Sequence, residues 1–262
     1  MPLAIVDGEV MASSQATIPI LDDGLWRGDG VFEVVRLYRG RPWALAEHLE
    51  RMKLSAENLR LDFSPEDLAA DIATLLDRTG PVDAILRVAV TRGGRRVGVI
   101  EEPGELPANV ALATIEHMPS PLMDAIKSLS YAANMLAARL AQERGADDAL
   151  FVTPEGRVLE TPRASFFCAL DGQLCTPTLD GQILDSITRR HVLATSDVAE
   201  RIIMSDDLAR VGEAFVASTV REIQPVHSID GRSLGATPGP LTRDALLAHE
   251  QLIAAALAAP HS

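Results

Sequence analysis

Apolar residues recur at helical spacing between Leu45 and Leu59, with Leu45, Leu49, Met52 and Ala56 on one face, which predicts an amphipathic helix. Ser64-Pro65-Glu66-Asp67 predicts the start of another: a serine cap, proline at the first helical position and acids in the first turn. That helix should run to about Arg78 and stop before Gly80. Shorter apolar runs over Leu3–Val6, Val31–Tyr38, Ala84–Thr91 and Val110–Ile115 predict strands. Tyr38-Arg39-Gly40-Arg41 predicts a hairpin turn leading into Trp43-Ala44-Leu45.

Two closely spaced prolines in His117-Met118-Pro119-Ser120-Pro121 stop any regular element. A small N-terminal α/β domain is therefore expected over 1–116, a linker over 117–123 and a larger C-terminal domain over 124–262. In the second part, Tyr131–Arg144 predicts a helix ending at Gly145. Ala149–Thr153 and Arg157–Leu159 flank a Pro-Glu-Gly turn. Phe166–Leu170 and Gln173–Thr176 flank Asp171-Gly172, a strong hairpin signal. Ile187–Arg201 predicts a helix, Ala214–Ser218 a strand, and Thr242–Ala258 a last helix capped by Thr242. No repeat interrupts this pattern, and the mixture predicts an α+β fold in two domains.

Composition narrows the function. The chain has 262 residues, nearly half of them hydrophobic, enough to bury a sizeable core. Its formal charge is −13, with the acid spread along the sequence, which argues against a nucleic-acid partner needing a basic face. The two cysteines, Cys168 and Cys175, make neither a metal pattern nor a disulfide framework, so no metal is expected and a reducing compartment is the simplest home. The first residues have no signal-peptide pattern, and no apolar run would span a membrane. A cytoplasmic protein without a membrane partner is the expectation. Among 24 Lys plus Arg, only Lys53 and Lys127 are lysines. Codon bias towards arginine accounts for most of that imbalance, but only lysine can lose its proton and form an imine.

Several local patterns have two readings. Lys127, in Ala125-Ile126-Lys127-Ser128-Leu129-Ser130-Tyr131, is a surface lysine at a strand end or a placed amine. Glu160, at the end of a predicted hairpin, is a solvated terminus or a site acid. Asp185-Ser186-Ile187-Thr188-Arg189 sets hydroxyls at a helix start, which caps the helix and is also where a phosphate binds well. Ala217-Ser218-Thr219 offers hydroxyls and backbone N–H groups after a strand.

Taken in order, these segments resemble the fold-type IV enzymes that use pyridoxal 5′-phosphate (PLP), the D-amino-acid and branched-chain aminotransferase family. Trp26-Arg27-Gly28-Asp29-Gly30-Val31-Phe32-Glu33 is similar to their N-terminal signature. Glu47-His48-Leu49-Glu50-Arg51, Ile126-Lys127-Ser128-Leu129, Gly145-Ala146-Asp147-Asp148-Ala149, Glu160, Ile187-Thr188-Arg189 and Ile229-Asp230-Gly231-Arg232 follow in family order. The resemblance covers nearly the whole chain. It implies that Lys127 holds PLP as a Schiff base and later shuttles a proton, which needs a lysine neutral near pH 7. It implies that Glu160 faces the pyridine nitrogen and Arg51 reaches the phosphate as a two-pronged donor. Ile187, Thr188, Ser218 and Thr219 would complete the phosphate cup, and Tyr131 would lie beside the cofactor or the substrate carboxylate. A homodimer is also implied, with the site receiving a loop from the neighbouring subunit. Ala164-Ser165-Phe166-Phe167 stands where the family commonly has Asn, and Asp185-Ser186 where it often has Pro-Gly.

Three activities share these motifs. A branched-chain L-aminotransferase usually has an aromatic residue where Arg27 stands. An aminodeoxychorismate lyase usually has Thr where Val34 stands. D-amino-acid transaminases carry Glu-Val-Val, as Glu33-Val34-Val35 does here. The expectation is thus a transaminase moving an amino group between a D-amino acid (D-glutamate or D-alanine) and a keto acid such as 2-oxoglutarate. Phe32, Val34, Tyr131, Arg27 and Arg87 would line the substrate. For Arg87 the alternative is a strand residue paired with an acid.

Overall fold

The computed structural model describes residues 2–180 and 182–258, and these divide into two compact units. The first comprises residues up to 105 together with 125–131, and the second comprises 106–124 with 132 onwards.

In the first unit, β1 (Leu3–Val6), β2 (Glu9–Ala12), β3 (Gly30–Tyr38), β4 (Arg41–Pro42), β5 (Ala84–Thr91) and β6 (Arg96–Glu101) form a sheet in the order β2-β1-β6-β5-β3-β4. A short helix α1 (Asp23–Arg27) precedes β3, and α2 (Leu45–Leu59) and α3 (Pro65–Thr79) follow β4. Both long helices start where the sequence predicts. The Ser64 hydroxyl accepts the Asp67 N–H at 3.1 Å, so α3 begins on a satisfied cap. Met52 and Ala56 of α2 and Leu68, Ile72 and Leu75 of α3 pack against Val31, Val35, Leu37, Leu86 and Val88. One face of the sheet is therefore helix-covered. Side chains alternate along a strand, so Phe32 and Val34 of β3 turn to the other face.

The second unit holds β7 (Val110–Glu116), α4 (Ala132–Glu143), β8 (Asp148–Val152), β9 (Ser165–Leu170), β10 (Gln173–Thr176), α5 (Ile187–Thr195), β11 (Val198–Glu200), β12 (Ala214–Ser218), β13 (Glu222–Ile229), β14 (Arg232–Ser233) and α6 (Pro240–Ala258). Its sheet runs β11-β10-β9-β12-β13-β7-β8, with β14 added to β13. The central strands are buried on both faces. Phe166 and Cys168 pack with Val216 and Val226 on one side, while Phe167 packs with Phe215, Val192 of α5 and Ala245 of α6 on the other. Ala137 and Ala141 of α4 cover Ala113, Ile115 and Phe151.

Three expectations are corrected. The division does not fall at 117–123. β7 pairs in parallel with β8 and β13 and so belongs to the second sheet, while 125–131 returns to the first unit. The helix expected over Ile187–Arg201 ends at Thr195, because Val198–Glu200 pairs in parallel with β10 instead. The last helix starts at Pro240, and Thr242 lies buried inside it, donating its hydroxyl to Glu213 at 3.1 Å.

Candidate active site

Lys127 is fixed by its backbone. The segment 127–129 runs beside the start of β3: Leu129 N–H donates to the Gly30 carbonyl at 2.9 Å, and Phe32 N–H donates to the Lys127 carbonyl at 3.1 Å. This occupies the part of the β3 edge that β4, paired only with Leu37 and Tyr38, leaves open. Two motifs far apart in sequence thus become one structural feature. The glycines of the first motif permit the approach. A Cβ on Gly28, whose φ is +64°, would come within 2.9 Å of Ser130 Cα, and one on Gly30 within 2.7 Å of Leu129 Cδ1. On the other side, buried Ser55 of α2 accepts the Lys127 N–H at 3.1 Å.

The Lys127 amine nitrogen lies 4.5 Å from the centre of the Phe32 ring and 5.9 Å from that of Tyr131. The two rings meet edge to face at 5.4 Å. Lys127, Phe32 and Tyr131 are therefore brought together, as the sequence reading expects. Val34 and Arg87 are direct cross-strand partners, so they share the sheet face to which Phe32 turns. Arg87 is exposed and bonds Glu101 through both Nε (3.2 Å) and Nη2 (3.0 Å). This is the paired-strand alternative for Arg87. Arg27 is exposed at the end of α1 and pairs with Asp23, one turn earlier.

The next side chain of β3, Glu33, turns towards α2 and is wholly buried. Arg51 grips it with Nε to Oε1 and Nη2 to Oε2, both at 2.7 Å, and His48 Nδ1 donates to Oε2 at 2.8 Å. Burial alone would raise the Glu33 carboxyl, but the Arg51 guanidinium and the two hydrogen-bond donors overcome it and hold it down at about 2. Burial lowers the His48 pKa, with the Arg51 and Lys127 charges adding to it and Glu33 opposing. A carboxylate only accepts, so His48 Nδ1 carries the proton, and Nε2 is buried without a partner among the described residues. Arg51, expected at the phosphate, is thus also anchored by Glu33. The sequence reading missed this cluster. Its signal was there: His48, Arg51 and Ser55 are polar residues at helical spacing beside Met52 and Ala56 on the buried face of α2.

The remaining expected residues lie in the second unit. β12 ends at Ser218, directly beside the start of β9 at Ser165 (Ala217 pairs with Ser165), and β13 begins there too, with Glu222 opposite Ser218. Half-buried Glu160 lies on the chain that returns along β8: Phe151 N–H donates to the Glu160 carbonyl, and the Leu184 N–H donates to Oε1 at 2.9 Å. Leu184 leads into α5, where Ile187 and Thr188 are buried in the first turn. Ser186 caps that turn by accepting the Arg189 N–H at 3.4 Å. The Ser218 hydroxyl accepts the Arg221 N–H at 3.2 Å, closing the turn that carries Thr219. A cleft of about 280 Å³ near the β9–β10 hairpin is lined by none of these residues.

An amine in the first unit and, in the second, a carboxylate and a helix start with hydroxyls are the kinds of group that would hold the aldehyde, ring nitrogen and phosphate of PLP. Comparison with known proteins points the same way. The sequence profile of the amino-transferase class IV family matches residues 30–229. A D-alanine aminotransferase of Bacillus licheniformis is 31% identical over 92% of this chain and 93% of its own length. A putative branched-chain-amino-acid aminotransferase of Methanocaldococcus jannaschii is also 31% identical, over 87% of this chain and 88% of its own. The fold is similar to that of a hypothetical aminotransferase from Mycobacterium tuberculosis solved in a PLP-bound form, with a TM-score of 0.87 and 25% identity, covering 98% of this chain and 100% of that one.

Proposed function

The chain belongs to the class IV aminotransferases, PLP-dependent enzymes of fold-type IV, and we propose that it transfers the amino group of a D-amino acid, D-glutamate or D-alanine, to a keto acid such as 2-oxoglutarate. The observation that carries the reading is the Lys127 amine over the Phe32 and Tyr131 rings, beside the strand that bears Glu33-Val34-Val35. The similarity to a D-alanine aminotransferase supports the D-amino-acid reading. The equal similarity to a branched-chain enzyme supports L-amino acids as the second reading.

When bound, PLP supplies an electron-withdrawing ring that makes the substrate Cα–H acidic. In our reading Lys127 holds the cofactor through its amine and afterwards moves a proton at Nζ. Its backbone bonds to β3 and Ser55 fix where that nitrogen starts. Glu160 would accept the N–H of the ring nitrogen and keep that nitrogen protonated. In our reading Arg51 would reach the phosphate, and within the second unit the α5 start at Ile187 and Thr188, with Ser218 and Thr219, would supply hydroxyls and N–H groups to it. Phe32, Val34 and Tyr131 flank the substrate. The ion pairs of Arg27 and Arg87 are exposed and so weak, and a substrate carboxylate can compete for either arginine.

A homodimer is part of the proposal. Leu21, Leu25 and Trp26, on and beside α1, are large apolar side chains left exposed, and a second copy would cover them. No helix among the described residues is long and apolar enough to cross a membrane. A cytoplasmic location remains our reading.

The test is to mix the PLP-loaded protein separately with D-glutamate, D-alanine, L-leucine and aminodeoxychorismate and to follow the visible absorbance of the cofactor. Conversion with the D-amino acids is expected. Conversion with L-leucine alone would favour the branched-chain activity. Pyruvate release from aminodeoxychorismate without any response to D-amino acids would make the protein a lyase and the proposal wrong.

A further inference from the structure

The second unit contains a charged cluster that none of the assigned roles uses. Asp148, the first residue of β8, is wholly buried. Its Oδ1 accepts the Ala149 N–H at 3.0 Å, while Oδ2 takes Nη2 of Arg221 and lies 3.6 Å from Nη2 of Arg163. Two guanidiniums thus converge on one oxygen. Asp147 adds negative charge nearby, but it is exposed and accepts the Ala111 N–H at 2.7 Å. Arg221 is nine-tenths buried, and its Nη1 is buried without a hydrogen-bond partner among the described residues. A buried guanidinium donor left unpaired is unfavourable, and proteins keep one where something else completes it. Burial, the largest influence, lowers the Arg221 pKa; Asp148 opposes this, while Arg163 adds to the lowering.

The position of the cluster says what that partner is. Arg163 follows Glu160 by three residues, and Arg221 follows Ser218 by three, its N–H bonded to the Ser218 hydroxyl. The cluster therefore adjoins, along the chain, the residues assigned to the ring nitrogen and the phosphate. We propose that Arg221 and Arg163, held by Asp148, bind a carboxylate of the amino- or keto-acid substrate. This rests on the transaminase reading above. Arg221, held by Asp148 through Nη2, offers its buried Nη1. Arg163, nearly half exposed, closes on the carboxylate from the solvent side. The carboxylate is either the α-carboxylate common to every substrate or the distal one of a dicarboxylic substrate.

The experiment measures binding of two inert acids, glutarate and butyrate, to the PLP-loaded enzyme by titration calorimetry. The variants are R163Q, R221K and the double replacement R221M/D148N, which removes both buried charges together so that no carboxylate is stranded. Glutarate should bind at least fivefold more weakly to R163Q and at least tenfold more weakly to the double variant, with R221K in between. Weakening confined to glutarate assigns the distal carboxylate, and equal weakening of butyrate assigns the α-carboxylate; both support the site. Unchanged dissociation constants in R163Q and in the double variant overturn it, even where transamination by the wild type is intact. A wild-type protein that transaminates no amino acid would instead overturn the functional reading, whatever the calorimetry shows.

Discussion

Each unit buries a carboxylate against arginine, but the two arrangements are not equivalent. Glu33 in the first unit has both oxygens filled by one bidentate guanidinium and a histidine, all three side chains at least nine-tenths buried. Asp148 in the second unit concentrates two guanidiniums on a single oxygen, with Arg163 long and exposed and one Arg221 nitrogen unmatched. In the first case the carboxylate's needs are met from within the fold, as expected of a part that orients its neighbours. In the second the donors exceed the acceptors, as expected of a part that meets something from outside. Counting donors and acceptors around a buried charge separates the two roles more sharply than burial does, since both carboxylates are inaccessible.

The largest effect we expect touches neither cluster. Lys127→Ala should abolish turnover with every amino donor while leaving the unfolding midpoint unchanged, because it removes the amine and keeps the backbone bonds that join 127–129 to β3. Near-wild-type turnover would remove the assigned site altogether. Lys53, exposed on α2, should be dispensable.

Next comes Glu33→Ala. It strands a buried guanidinium, and loss of one partner of such a pair costs about 3–5 kcal/mol, readable by urea unfolding. A change under about 1 kcal/mol would show that Glu33 is not the anchor the geometry describes. The same cluster gives a pH dependence. The carboxyl of Glu33 is held below its usual value, so its contribution is complete above the ordinary carboxylate range and is lost as pH falls towards about 2. His48 is also lowered, so the unfolded chain takes up that proton first and stability already declines as pH drops below the usual histidine value. Thermal midpoints should therefore fall on the acid side in two stages, and His48→Gln should shrink the upper one, to which His117 and His249, also lowered by burial, contribute.

Glu160→Gln should leave PLP bound but slow the half-reaction at least tenfold, about 1.4 kcal/mol, since a neutral amide cannot hold the ring nitrogen protonated. An unchanged rate would mean that Glu160 is not the ring partner. The smallest effect concerns the second cluster itself. Arg163→Gln should change stability by less than about 1 kcal/mol, as for other exposed ion pairs. A loss like that of Glu33→Ala would make the two clusters alike and erase the contrast.

What the sequence disclosed follows from the range of each interaction. α2 and α3 were legible because their apolar period and the Ser64 cap are local. The β9–β10 hairpin was legible because Asp171-Gly172 fixes it within two residues. Lys127 and Glu160 stand out in the sequence only through a resemblance spread over many motifs, since each is ambiguous alone. β13 went unread because Pro225 signals a break; the sheet accepts it opposite Phe215, next to a register shift between Val226 and Ser228. β6 was hidden by Gly98, whose lack of a side chain lets Ile5 pack close. The Asp148 cluster joins residues 73 positions apart, and no periodicity reports a pairing at that distance.

The return of 125–131 to the first unit bears on how the gene can be dissected. A clone ending at the apparent linker would encode the first sheet without the strand segment that seals the upper edge of β3, and it would also carry off β7, which the other sheet needs. Expressing the first unit alone calls for residues 1–105 with 125–131 spliced on through a designed connection. The piece so grafted is the one that bears Lys127, so the modular boundary and the amine proposed to hold the cofactor travel together.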